Sequence, residues 1–438
     1  MWKIKGLLNL LRHMHTNKKG ISHIMESASA KLWNRDFMLV VSGQIISIFG
    51  NMILSFALPL YILDITGSAA LYGMVLGLPF ISLLIMSPIG GIMADRLKKQ
   101  RIMFWLDAAT TLLIVLFMII SGLLESVVPI VLVKLLALNA IQGMYIPAVQ
   151  ASVPTLCSEN NLTTGNAAVG AVNSLSTMVG LAVAGILYAR FGLTPILIVS
   201  AICFAITAVM DLFIRMPYKK QPPAESIAQL IKNDMTESLR FAVKEKPVLA
   251  KCAFFFFLFT ILLSSMLIVG LPVLITQNLG MGMELVGINQ SIMMVGGLVG
   301  GIIAGAMGAR LTINKGLVYF ILGCLLVVPM GVVFLVETPP LTAYIIMTAS
   351  SALVLCSMFM LQIATITFIQ KATPLNLIGK VMSVIMVMPF LANAIGQLIY
   401  GAIFELLPNL PWAIIFATIA LSILVALCAR FEFRNISK

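Results

Sequence analysis

The sequence predicts an all-helical polytopic membrane protein, with twelve transmembrane helices arranged as two six-helix bundles in pseudo-twofold repeat. Three observations carry that expectation. Of 438 residues, 60% are hydrophobic and only 10% are charged, whereas soluble chains run near half apolar and a quarter charged. Apolar runs long enough to cross a bilayer, about 20 residues each, recur along the chain. The second half repeats landmarks of the first. Such a composition excludes a soluble enzyme, a nucleic-acid binder and a disordered chain, because too little charge remains to cover a water-exposed surface.

The spans are expected at 37–63, 70–93, 102–122, 127–150, 165–189, 193–214, 249–275, 284–308, 316–336, 341–369, 380–404 and 411–430. These runs lack the alternation of barrel strands, so helices are the remaining structure that satisfies every backbone group in lipid. Orientation follows from Lys and Arg. With the N-terminus in the cytoplasm, 25 of the 28 basic residues fall on the cytoplasmic side. Of the rest, Arg190 is external, and Lys134 and Lys251 sit within or at the edge of spans. Both termini are therefore expected inside, in a multi-pass protein of the cell membrane. The formal net charge of +12 is read as topology and attraction to anionic lipid, with no nucleic-acid partner.

Segment 1–36 is expected to be a basic cytoplasmic region. Its apolar patch, Leu7 to Leu11, is too short for a signal-peptide core. Residues 37–214 form the first bundle and 249–430 the second, with 431–438 a cytoplasmic tail. Segment 215–248 joins the bundles. It carries Ile227, Leu230, Ile231, Met235 and Leu239 on one side of a helical pattern, and Lys232, Asp234 and Glu237 on the other. The six cysteines are scattered, so no disulfide framework is expected. All three histidines precede the first span. No metal site, cofactor or catalytic constellation is expected, and the chain is not read as an enzyme.

The repeat has an offset of about 213 residues. Leu58-Pro59-Leu60, Gly67 and Leu71-Tyr72-Gly73 are echoed by Leu271-Pro272-Val273, Gly280 and Leu285-Val286-Gly287. Ala94-Asp95-Arg96-Leu97 aligns with Gly308-Ala309-Arg310-Leu311, and Gly165 with Gly379. Six plus six in parallel repeat is a layout of transporters whose site lies between the halves.

Polar residues inside spans each ask for a reason, since a charge at the bilayer centre costs about 2.5–3.5 kcal/mol on insertion scales. Gln44, Ser47, Asn51 and Ser55 fall on one face of span one, which suits a wet cavity. Gln142 and Tyr145 in span four, Asn289 in span eight, and Asn393 and Gln397 in span eleven are further cavity candidates. Lys134 lies roughly 10 Å deep at 1.5 Å per residue and either faces substrate or titrates as a coupling group, or else snorkels outward or forms a structural pair. Asp107 either supports the loop structurally, bonding Thr110 and Thr111 or pairing with Arg96 or Arg101, or carries a coupling proton. Asp211, near the end of span six, is expected to be solvated or structural. Glycines 296, 297, 300, 301, 305 and 308 would let span eight approach its neighbours closely and slide.

The loop after span two reads Gly90-Gly91-Ile92-Met93-Ala94-Asp95-Arg96-Leu97-Lys98-Lys99-Gln100-Arg101. Gly91 would permit close helix contact, and Asp95 at the membrane edge could accept hydrogen bonds from a helix N-terminus or pair with a base. This loop resembles the cytoplasmic signature of the major facilitator superfamily. The resemblance implies that Asp95 meets the start of span eleven and latches the halves on the cytoplasmic side, with Gly91, Arg96, Lys99, Arg101, Gly379 and Lys380 taking part. Gly379-Lys380-Val381 is similar to the Gly-Arg-Val of the macrolide-efflux and enterobactin-exporter-like branch. Tyr145-Ile146-Pro147-Ala148 with Pro154, Glu159 and Asn166 also looks like that branch.

The sequence departs from the pattern in four places. Ala309 stands where a second acidic latch would be, and span five lacks a Gly-Pro pair. Asn139-Ala140-Ile141-Gln142-Gly143 replaces a buried arginine, and Asn51 stands where several relatives carry aspartate. With no nucleotide-binding loop, transport is expected to be secondary. The resemblance implies a monomeric exporter of amphiphilic small molecules, macrolide-like drugs or siderophore-like metabolites, exchanged for protons by alternating access. The rival readings are an uptake permease of the same fold, and a non-transporting lipid scramblase or sensor.

Overall fold

The computed structural model describes residues 34–121, 127–156, 162–216, 240–336, 338–374 and 378–434. Among them are twelve helical segments of membrane length and apolarity: α1 (Arg35–Thr66), α2 (Ala69–Ala94), α3 (Lys99–Ser121), α4 (Val127–Val153), α5 (Val172–Phe191), α6 (Leu193–Leu212), α7 (Pro247–Asn278), α8 (Met283–Met307), α9 (Leu317–Leu335), α10 (Pro340–Ala372), α11 (Val387–Leu406) and α12 (Pro411–Glu432). The described residues contain no strand. The first 33 residues and most of the linker, with its amphipathic pattern, lie outside the described residues.

Local chemistry fixes the helix ends. The Asn34 side chain caps α1 by accepting from Phe37 N at 2.8 Å. Gly67 ends α1 in the left-handed region (φ +63°), and its repeat partner Gly280 adopts φ +64° after α7. Pro59 and Pro272 sit inside these same two helices. The sequence repeat is thus a repeat of backbone geometry. The second span is interrupted at Leu78, where Pro79 supplies no amide to continue the ladder. Helix α7 contains two π-helical stretches, Thr260–Ser264 and Leu274–Asn278, a local rewinding that single α-helices adopt mostly at functional positions.

Helix alternation puts Arg35, Arg96, Lys99, Arg101, Arg310, Lys371 and Arg430 on one side of the bundle, here termed the basic face. Large apolar side chains such as Ile85, Trp105, Val133, Ile302 and Leu424 ring the exterior, more than half exposed, as a lipid-facing surface requires.

Between the halves, packing is concentrated on the far face. One core cluster runs without a break from Ile53, Tyr72 and Leu181 in the first half to Leu271, Val286 and Phe404 in the second. Towards the basic face the cores separate, with Val40, Met103 and Tyr145 in one cluster and Ala304, Leu311 and Met360 in another. Glycines set the closest approaches. A β-carbon on Gly185 would stand 2.8 Å from the Gly287 Cα, and one on Gly401 3.0 Å from the Gly73 Cα. A β-carbon on Gly77 would stand 2.6 Å from the Ala394 carbonyl oxygen. Gly73 and Gly287 are repeat partners, so α2–α11 and α8–α5 close the far face by equivalent contacts.

Two expectations about glycine need correction. Gly91 meets nothing within 4 Å; its neighbour Gly90 is the one pressed against the Met144 backbone of α4. The glycines of α8 also do not all serve motion between halves. Gly296 and Gly300 lock onto Ala352 and Cys356 of α10, in the same half, whereas Gly301 and Gly305 face open space. The five described cysteines are free thiols.

Candidate functional site

A cavity of about 430 Å³ opens within the first half, lined from α1, α2, α4 and α5. Its wall includes Gln44, Ser47, Asn51 and Ser55 of α1, and Asn139, Gln142, Tyr145 and Gln150 of α4. Asn173 of α5 completes the polar set, and Ile48, Met52, Leu76, Phe80, Leu83 and Leu135 supply apolar surface. Among the described residues, none that lines it is charged. The lining residues fall on one face because 44, 47, 51 and 55, and likewise 139, 142, 146 (an isoleucine) and 150, follow the helical period.

Hydrogen bonds divide these side chains into held and unheld groups. Gln44 Nε2 donates to the Tyr145 hydroxyl at 2.9 Å, tying α1 to α4. Asn139 donates to Leu135 O of its own helix at 3.0 Å, and the Ser55 hydroxyl reaches Asn51 Oδ1 at 3.5 Å. The carboxamide of Gln142 borders the cavity without such a tether. Such a surface offers donors and acceptors to an uncharged polar ligand, and aliphatic area to its apolar parts.

Six of the expected cavity residues, Gln44, Ser47, Asn51, Ser55, Gln142 and Tyr145, thus line one space. Three lie elsewhere. Asn289 is fully buried and donates to Thr348 Oγ1 at 3.0 Å, joining α8 to α10. Gln397 is 1% exposed and its backbone abuts Gly73 in the far-face contact. Asn393 is half-buried one turn away. Polar residues in α8 and α11 therefore bond or pack between helices, a use that spacing alone does not separate from cavity lining. Conversely, Asn139, Gln150 and Asn173 were not singled out as cavity residues, although 139, 142 and 146 keep the stripe's period.

Lys134 is 2% exposed and is absent from the cavity wall; its Nζ stands 3.9 Å from the centre of the Phe117 ring and has no hydrogen-bond partner. It neither snorkels nor faces the cavity. A buried unpaired charge costs several kcal/mol, and apolar replacement of buried charges is often neutral or stabilising by about 1–4 kcal/mol. The ring contact returns about 2 kcal/mol at most. Lys134→Met is therefore expected to hold or raise the melting temperature of the purified protein. A fall of many degrees would show that the ammonium organises the bundle.

Asp107 is 2% exposed and makes no ion pair; the hydroxyls of Thr110 and Thr111 donate to backbone carbonyls instead. Asp211 is also 2% exposed, so of its two expected roles, solvated or structural, it is not the solvated one. Among the signature-loop residues, Lys99 is half-buried and Arg101 exposed. The side chains of Asp95 and Lys380 lie outside what the structure describes, and Gly379 falls in the first turn of the helix that begins at Ile378.

A family model described as Major Facilitator Superfamily matches residues 40–397. The chain belongs to the major facilitator superfamily. Within it, the chain is similar to macrolide efflux protein A of Streptococcus pyogenes, 26% identical over 185 residues, or 42% of this chain and 46% of that protein. It thus matches under half the length of that relative. A variant of the nucleoside transporter NupG superposes with a TM-score of 0.72, covering 90% of this chain and 100% of that one at 14% identity. A bacterial homologue of the human lysosomal transporter Spinster, crystallised inward-facing and unoccupied, gives 0.69 over 92% of this chain and 97% of that one, at 13% identity. At such identities these structures share the fold. This major facilitator is a multi-pass membrane protein with twelve apolar helices of spanning length among its described residues.

Proposed function

We propose that this transporter exports uncharged or weakly charged amphiphilic molecules, macrolide-like drugs or secreted siderophore-like metabolites, across the cell membrane. The observation that carries the reading is a cavity lined by carboxamides, hydroxyls and apolar side chains, with no charged group among the described residues of its wall. Sugar phosphates and dicarboxylates would want arginine clusters there. The partial similarity to a macrolide efflux protein supports the same cargo class.

The strong bias of Lys and Arg makes the basic face cytoplasmic, with both termini inside. In that orientation the separated cores open the cavity to the cytoplasm, and the glycine contacts seal it from outside. Alternating access would then part α2 from α11 and α5 from α8, while Asp95 closes the inner side against the helix that begins at Ile378. Gly91, Arg96, Lys99, Arg101, Gly379 and Lys380 are its proposed partners in that closure. Protons are the proposed coupling ion. The site is contained in one chain, consistent with a monomer.

The test is dye efflux and drug susceptibility in cells expressing the chain, with and without a protonophore. Efflux is expected to stop with the protonophore, and to fall about 10- to 100-fold in Asp95→Asn, as expected when an interface contact of about 1–3 kcal/mol is lost. The exposed-loop control Leu97→Ala should keep it. Accumulation rather than efflux would establish an uptake permease, and no movement of any amphiphile by protein in liposomes would favour a scramblase or sensor.

A further inference from the structure

The contact between α2 and α11 changes character at its cavity end. Near the far face it is made of backbone, with Gly73 against Gly401 and Gly77 against the Ala394 carbonyl. One turn further along α2 stands Phe80, and one turn back along α11 stands Phe390. Their ring centroids are 6.2 Å apart and the planes are inclined by 35°. A proline precedes each ring: Pro79 at the break in the second span, and Pro389 inside α11. Neither proline donates an amide to its helix, so both helices are weakened in the layer where rings replace backbone contact.

This pair differs from a ring pair that holds the fold. Phe259 and Phe320 meet at 4.2 Å, are 2% and 0% exposed, and belong to the large core cluster. Phe80 and Phe390 belong to none of the core clusters of the described residues. Phe80 is half-buried and lines the cavity, while Phe390 is 39% exposed. Their inclination is neither the offset stack nor the edge-to-face contact that phenyl rings prefer, so the two part easily. A leucine at either position would also supply apolar area. What a phenyl adds is a flat face that another ring can take.

The geometry points to Phe80 as the residue that selects cargo bearing a flat aromatic ring, with Phe390 as the partner it gives up when the far face opens. Parting α2 from α11 carries Phe390 away and uncovers a face of Phe80 beside the cavity. A cargo ring that stacks there binds the opened state better than the closed one. By that difference in affinity, and by no more, it shifts the population towards opening. An amphiphile without a ring lacks this contribution. Among the cargoes proposed above, those with a flat aromatic system are therefore favoured over ring-free macrolides, and they are the stronger triggers of opening. The inference rests on the export reading, whose cavity and helix motion it uses.

The experiment compares a rhodamine-type dye, which carries a flat aromatic system, with erythromycin, which has none. The reporter is Ala69→Cys in a cysteine-free full chain, a position 1% exposed where α2 meets Gly401, outside the cavity wall. Cells expressing it are treated from outside with an impermeant maleimide. Saturating dye is expected to raise labelling about 2- to 12-fold, which is about 0.5–1.5 kcal/mol for one ring contact converted at about 1.4 kcal/mol per factor of ten. Erythromycin is expected to raise it less. Phe80→Leu should remove the dye's increment and lower the ratio of dye to erythromycin affinity of the purified protein by the same factor. Phe80→Tyr, which keeps the ring, should restore both. Phe390→Leu should raise labelling in the absence of cargo. Equal increments from dye and erythromycin in the parent chain, a result that depends on no Phe80 variant folding, overturn the proposal. So does an unaltered affinity ratio in Phe80→Leu. In either case the export reading stands if both compounds are still effluxed; a chain that moves neither overturns both readings.

Discussion

Gly185→Leu is expected to hold the far face open and to abolish efflux while the protein still folds. A β-carbon at that position already stands 2.8 Å from the Gly287 Cα and 3.2 Å from the Met283 carbonyl oxygen. Both obstacles are backbone, so α5 and α8 must part to make room. Overpacking of this kind costs about 1–3 kcal/mol. At about 1.4 kcal/mol per factor of ten, the far-closed population falls about 5- to 150-fold. The measurement is labelling of Ser55→Cys, a cavity position, by a membrane-impermeant maleimide added from outside to a cysteine-free background. Labelling should rise as efflux falls. The equivalent change at Gly73 should behave alike, because α2 meets α11 by the same geometry. Unchanged labelling and efflux in both variants would mean that these glycines are filler.

The double variant Asn51→Leu, Gln142→Leu is expected to weaken cargo binding about 10- to 100-fold while leaving the melting temperature within a few degrees. These two carboxamides line the cavity on facing helices, and the contact of Asn51 with Ser55 is long at 3.5 Å. Neither is therefore committed to a strong bond that the fold needs. Each hydrogen bond to a ligand contributes about 0.5–1.5 kcal/mol net, so two together account for the range. Fluorescence anisotropy of a rhodamine-type amphiphile in detergent gives the dissociation constant directly. Equal affinity in the double variant would place the cargo elsewhere.

The fold was legible because apolar length and charge bias are one-dimensional quantities. Twelve spans, the repeat and its glycine landmarks all follow from them, and Gly67 and Gly280 carried their shared letter into a shared backbone angle. The cavity was legible on α1, where four polar residues keep a helical period in apolar surroundings. On α8 and α11 the structure places the candidates elsewhere, since Asn289 bonds Thr348 of α10 and Gln397 is buried where its backbone abuts Gly73. Which of two faces of a polytopic helix meets a partner is decided by tertiary packing. Spacing does not encode it. The same limit hid the burial of Asp107 and Asp211, because it is decided only when α3 packs on α6. Lys134 failed for another reason. The Phe117 ring 3.9 Å from its Nζ is a contact across helices, which spacing does not show.

Among the described residues, the cavity wall is drawn from the first six helices, whereas the second six supply surfaces that press against them on the far side. The two copies of an ancestral unit have therefore come to carry different burdens: one answers to the chemistry of the cargo, the other to the mechanics of the seal. Changes that retune selectivity can then accumulate in one copy without loosening the closure, and a graft of helices α1 to α6 from a relative should bring its preferences with it.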